Sequence, residues 1–227
     1  MDNNELQSPF VEVQGSSRVS VRTYNLIMAG LIFIGFVVMG AGALWARTPS
    51  FYLLFASNML LLGVLPLVAS IAGIIMMSMA ARRQSTALSL AGFAVFVSGF
   101  GTTAGMGLAM YDLPAINMAF FATAGITAFA GIVGVAFPAF SRRLGGILCS
   151  VLLGVLIVEI ALMLMGVDQT VTDLIVVAVF TGFIAYDFNR AARLEPTVPN
   201  AVLVASNLFV DIVNVLLRLV RIFSRND

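Results

Sequence analysis

Residues 200–225 read NAVLVASNLFVDIVNVLLRLVRIFSR. The stretch is long and apolar enough to cross a bilayer, yet one side of it is polar. Asn200, Asn207, Asp211, Asn214, Arg218, Arg221 and Arg225 recur at steps of seven, four, three, four, three and four. On a helix that spacing makes a single stripe. A carboxylate near the bilayer centre costs roughly 3 kcal/mol on insertion scales. The stripe is therefore expected to face protein or a water-filled cavity rather than lipid, with this helix innermost and the rest of the chain around it.

Composition sets the class. The 227 residues are 60% hydrophobic and 10% charged, and mean hydropathy is +1.04. No soluble domain of this size has that balance, so the expectation is a single polytopic membrane domain held by the lipid bilayer. The net charge of +1 gives no reason to expect nucleic acid. There is no histidine, which excludes His-based metal sites and Ser–His or Cys–His catalysis, and all twelve basic residues are arginine, which excludes a Schiff-base lysine. The lone Cys149 sits in an apolar run and has no internal disulfide partner.

Outward from the opening stretch, six more spans are predicted: 24–45, 51–80, 86–110, 115–137, 144–165 and 171–188. Each is about 20 residues or longer, as the hydrocarbon core requires. Pro66 is expected to kink the second. Gly101 and Gly105 in the third have GxxxG spacing and predict close helix approach. Residues 1–23 form a polar tail without the order of a signal peptide, the transmembrane domain covers 24–223, and 224–227 is a short C-terminal tail. Arg18, Arg22, Arg82, Arg83, Arg142, Arg143, Arg190 and Arg193 fall on one side and Arg47 on the other. The N-terminus is therefore expected in the cytoplasm and, after seven crossings, the C-terminus outside. The three C-terminal arginines oppose that orientation, and a re-entrant last helix is the alternative.

Few ionisable residues lie within the spans. Asp187 is near the end of the sixth, Asp211 is mid-span in the seventh, and Glu159 is inside the fifth in LIVEIAL. The loop joining the last two spans is short, so they are antiparallel neighbours. Asp187 lies about 8 Å and Asp211 about 16 Å from the loop ends by helical rise. The depths match if the last helix starts one or two turns outside the membrane. Two carboxylates brought together in low dielectric share one proton, which makes a pH switch without histidine. The simpler alternative pairs Asp187 with Arg190. Asn207 and Asn214 share the stripe with Asp211 and are candidates for the ion path, as is Glu159.

FTGFIAYDFNR (180–190), a short loop and then LFVDIVN (208–214) resemble the Bax inhibitor-1, or transmembrane Bax inhibitor motif, family. Its signature pairs a Tyr-Asp ending the sixth helix with Leu-Tyr-x-Asp-x-x-Asn in the seventh; here Phe209 replaces the tyrosine. The resemblance runs from about residue 20 onward and is most specific over 180–223. It implies an all-α fold of seven transmembrane helices, the C-terminal one central and ringed by six. It also implies a bacterial-type, pH-sensitive calcium leak in a bacterial plasma membrane. In that family the paired aspartates, here Asp187 and Asp211, sense protons and hold calcium transiently, and a helix-two arginine, here Arg82 or Arg83, latches onto the helix-six aspartate. No cofactor is implied beyond calcium as the transported ion. Some relatives carry an acid in helix two, where this chain reads LVASIAGIIMM (67–77).

Two other function classes compete. Intramembrane aspartyl proteases also place a Tyr-Asp and an Asp on adjacent helices, but their second aspartate follows Gly-x-Gly, whereas Phe209 and Val210 precede Asp211 here, and no Pro-Ala-Leu element is present. A non-transporting scaffold or stress and cell-death regulator that binds other membrane proteins is compatible with the sequence. Calcium flux through purified protein separates it from a channel.

Overall fold

The structure is a computed structural model that describes residues 18–167 and 169–225, without the side chains at 61 and 138–144. Residues 1–17 of the expected tail, Asp168, the Arg142 and Arg143 side chains and residues 226–227 lie outside that description. In chain order the helices are α1 (Val21–Ala46), α2 (Pro49–Ser57), α3 (Met59–Arg83), α4 (Thr86–Leu108), α5 (Leu113–Ala136), α6 (Pro138–Leu164), α7 (Thr170–Ala191) and α8 (Val198–Ser224). Among the described residues there is no strand. Seven helices are long and apolar enough to cross a membrane, α2 being the exception. Helices satisfy their own backbone groups where no water can.

Local chemistry sets the helix starts. Ser20, Thr48, Ser85, Asp112 and Thr197 each accept a backbone N–H from the first turn that follows. Prolines stand in the first turns of α2, α5, α6 and α8, where a missing N–H costs nothing. The Arg18–Glu195 ion pair and the Val19 N–H donating to the Pro196 carbonyl at 2.8 Å fasten the entry of α1 to the α7–α8 loop. Arg47 donates to the Tyr111 carbonyl at 2.8 Å and ties the α1–α2 turn to the α4–α5 loop.

Three expected boundaries shift. The span expected over 51–80 is two helices, and the break is at Asn58 (φ −138°, ψ 39°) rather than at Pro66, through which α3 runs on. The Ser57 hydroxyl bonds to the Leu53 and Leu54 carbonyls in the last turn of α2. The helix expected from Leu144 begins at Pro138, so Arg142 and Arg143 belong to the first turns of α6 instead of a loop. α1 likewise starts at Val21, inside the expected tail.

α8 is the central element. It packs against α1, α3, α4, α5 and α7, while α6 lies outside and packs on α7. The expected ring of six is thus a ring of five with a sixth span behind it. Val202, Val204, Val213, Val215 and Val220 of α8 are fully buried, and exposed leucines, isoleucines and phenylalanines cover the other helices. The Phe209 ring meets Phe36, Phe96 and Phe100 edge-on at 5.5, 6.3 and 5.8 Å and lies against Gly35, where a Cβ would sit 2.7 Å from it. The close approach expected from the α4 glycines is present. A Cβ on Gly105 would stand 2.2 Å from the Met39 carbonyl oxygen, so α4 and α1 touch backbone to backbone.

Candidate functional site

α8 carries two polar centres. The first is at Asp211, with Asp187 of α7. Both are buried, at 8% and 5% exposure. Asp187 lies near enough to act electrostatically on the Asp211 carboxylate. The cation acting on Asp187 is Arg190, one turn further along the same helix. Asn214 donates to the Val210 carbonyl of its own helix at 2.8 Å, and Asn207 is half-buried on the same face.

Arg82 and Arg83 stand exposed at the C-terminal end of α3. Neither forms an ion pair with Asp187 or Asp211. α3 packs on α4 and α8 but not on α7, so a latch from its end to Asp187 requires rearrangement.

The second centre lies two turns along α8, about 10 Å from Asp211 by helical rise. Arg218 forms a two-pronged ion pair with Glu159 of α6, one arm of it at 2.9 Å, and donates to Asp173 Oδ1 of α7 at 2.7 Å. Arg221 donates to the same oxygen at 3.1 Å and to Gln169 Oε1 at 3.2 Å. Arg225 reaches Asp173 Oδ2 at 3.5 Å and Thr170 Oγ1 at 2.8 Å. Asp173 is completely buried. Glu159, expected along the ion path, is held in this network. Here Glu159 and Asp173 hold the three guanidiniums together.

The sequence alone does not single out Asp173, near the start of the span expected over 171–188. A signal was present: three arginines at i, i+3 and i+7 inside an apolar helix need buried acids within reach, and Glu159 and Asp173 are carried by the two preceding helices. Spacing along one chain did not show that α6 and α7 bring both to the same place.

Among the described residues no group of three or more acidic or cysteine side chains stands ready to hold a metal ion. The first centre offers two carboxylates, well short of the six to eight oxygens of a tight calcium site. Phe209, two residues before Asp211, fills the aromatic cluster and is fully buried, so no open groove for a substrate backbone adjoins Asp211 on that side.

A family model described as "Inhibitor of apoptosis-promoting Bax1" matches residues 16–227. No curated protein matches the chain.

Proposed function

The chain belongs to the Bax inhibitor family, and on that premise we propose that it is a pH-sensitive calcium leak, with Asp187 and Asp211 as its proton sensor. The supporting observation is the burial of these two carboxylates, within electrostatic reach of each other, on adjacent helices of a membrane protein. Sharing a proton leaves the pair with one negative charge, which Arg190 balances. Losing that proton sets like charges on α7 against α8, which pushes the helices apart or draws in a cation. Gaining a second proton neutralises the pair and releases any arginine bound to it.

These two couplings give opposite signs. Repulsion across α7 and α8 raises flux as pH rises. The helix-two latch implied by family resemblance, carried by Arg82 or Arg83, raises flux on acidification. Oxygen ligands suit calcium over zinc or copper, and a site this sparse binds weakly, as conduction requires. We further place the N-terminus in the cytoplasm of a bacterial plasma membrane and the C-terminus outside, from the arginine distribution. No enzymatic step is proposed.

The test is calcium flux into proteoliposomes as a function of pH, wild type beside Asp211→Asn. A flux that varies with pH and loses that variation in the variant supports the proposal. Absence of flux at every pH from folded protein leaves the scaffold class standing instead.

A further inference from the structure

α1 and α5 both pack on α8 but not extensively on each other. Between them is a cavity of about 840 Å³, walled by Ile32 and Phe36 of α1 and Phe120 and Ile132 of α5, with Ile212 and Leu216 of α8 at its floor. A second cavity of about 600 Å³ shares Ile32, Val135 and Phe188 with the first and ends at Tyr24, Leu194 and Pro196. Together they form one groove from the α7–α8 loop to mid-span. Its rim is open, with Phe120 51% and Ile132 71% exposed.

We propose that this groove binds an anionic glycerophospholipid, with one acyl chain between α1 and α5 and the phosphate at the loop end. The proposal is independent of calcium transport. An apolar groove of this size does not hold water, and left empty it forfeits its dispersion contacts. Both walls are membrane-crossing helices, so the medium at the rim is lipid. From Tyr24 to Phe36 is twelve residues, about 18 Å by helical rise, close to the roughly 15 Å of one leaflet of a 30 Å hydrocarbon core.

The loop end is basic. Arg22 follows Val21, and Arg190 and Arg193 flank Ala191 and Ala192, all three neutral residues lining the mouth. The exposed carboxylate there, Glu195, is taken up by Arg18. Tyr24 also lines the mouth; it is 3% exposed and its hydroxyl has no hydrogen-bond partner. A lipid ester carbonyl supplies the acceptor that a buried phenol needs. The groove runs beside the dyad, since Phe188 and Ile212 directly follow Asp187 and Asp211 in the chain.

The experiment uses full-length protein in vesicles of phosphatidylcholine and phosphatidylglycerol, doped with either lipid carrying a photoactivatable group on its acyl chain. Labelled residues are mapped by peptide mass spectrometry. The expected result is that phosphatidylglycerol labels 32–36 and 120–135 several-fold more than the lipid-facing residues of α6. Excess unlabelled phosphatidylglycerol should saturate that labelling, and Ala128→Phe or Ala124→Phe should cut it several-fold. Labelling that only follows exposure, with α6 equal to α5 and no saturation, overturns the site. Equal labelling by phosphatidylcholine overturns the anionic headgroup. Protein–protein cross-links across the groove that exclude the label would assign it to a second copy of the chain and also overturn the proposal.

Discussion

Arg218 of α8 donates to Asp173 of α7 at 2.7 Å, and Asp173 has no exposed surface. The same guanidinium holds Glu159 of α6, so one side chain fastens the outlying α6 to the centre of the bundle. Removing one partner of a buried ion pair strands the other in low dielectric and costs about 3–5 kcal/mol. Asp173→Asn is expected to lower stability by that order, because it affects three arginines at once. Arg225→Gln, at the exposed edge of the cluster, should change little. Thermal unfolding in detergent or nanodiscs measures both, and equal small effects would mean that the network is not structural.

The dyad makes the second prediction. Asp187→Asn and Asp211→Asn each leave a single carboxylate, which removes the repulsion and the shared proton together. Both should flatten the pH dependence of calcium flux while the protein still folds. If both keep a wild-type profile, the sensor is elsewhere, and Glu159 is the next residue to substitute.

Arg190 and the α3 arginines can be separated by the same assay. Arg190 acts on Asp187 from its own helix, so Arg190→Gln should change the pH profile without untying helices from each other. Arg82→Ala or Arg83→Ala should raise basal leak several-fold if either residue latches α3 onto the dyad. Unchanged leak in the Arg82/Arg83 double variant would eliminate that latch.

Helix packing gives a fourth prediction. A methyl added at Gly105 would fall 2.2 Å from the Met39 carbonyl oxygen, whereas nothing lies within 4 Å of a Cβ at Gly154. Gly105→Ala should destabilise by about 1–3 kcal/mol through overpacking. Gly154→Ala should be neutral or stabilise by about 0.5–1 kcal/mol through helix propensity. The two melting temperatures, compared directly, should move apart.

Topology is the fifth. Reporters fused after Arg83 or Arg143 should read cytoplasmic, and those after Asp112 or Asp168 external. α8 is one continuous helix of 27 residues, about 40 Å long by helical rise, with no break at which to turn back. A C-terminal reporter should therefore read external; a cytoplasmic signal would reverse the assigned crossing.

Hydropathy alone determined the number of spans and their approximate ends, because a bilayer demands about 20 apolar residues for each crossing. The period of the polar stripe marked 200–225 as the inner helix, since charged side chains at helical spacing have to be kept from lipid. The short α7–α8 loop, with the rise of a helix, was enough to bring Asp187 toward Asp211. Only the tertiary structure decided what the far end of that stripe meets. Arg218, Arg221 and Arg225 find Asp173 and Glu159 through the packing of α6 on α7 and of α7 on α8, and residues 45 to 59 positions apart in the chain have no local pattern to announce them. The break at Asn58 and the gap between α1 and α5 belong to the same class. The apolar residues run on to both sides of the break at Asn58, and a groove is a property of two helices that both prefer a third.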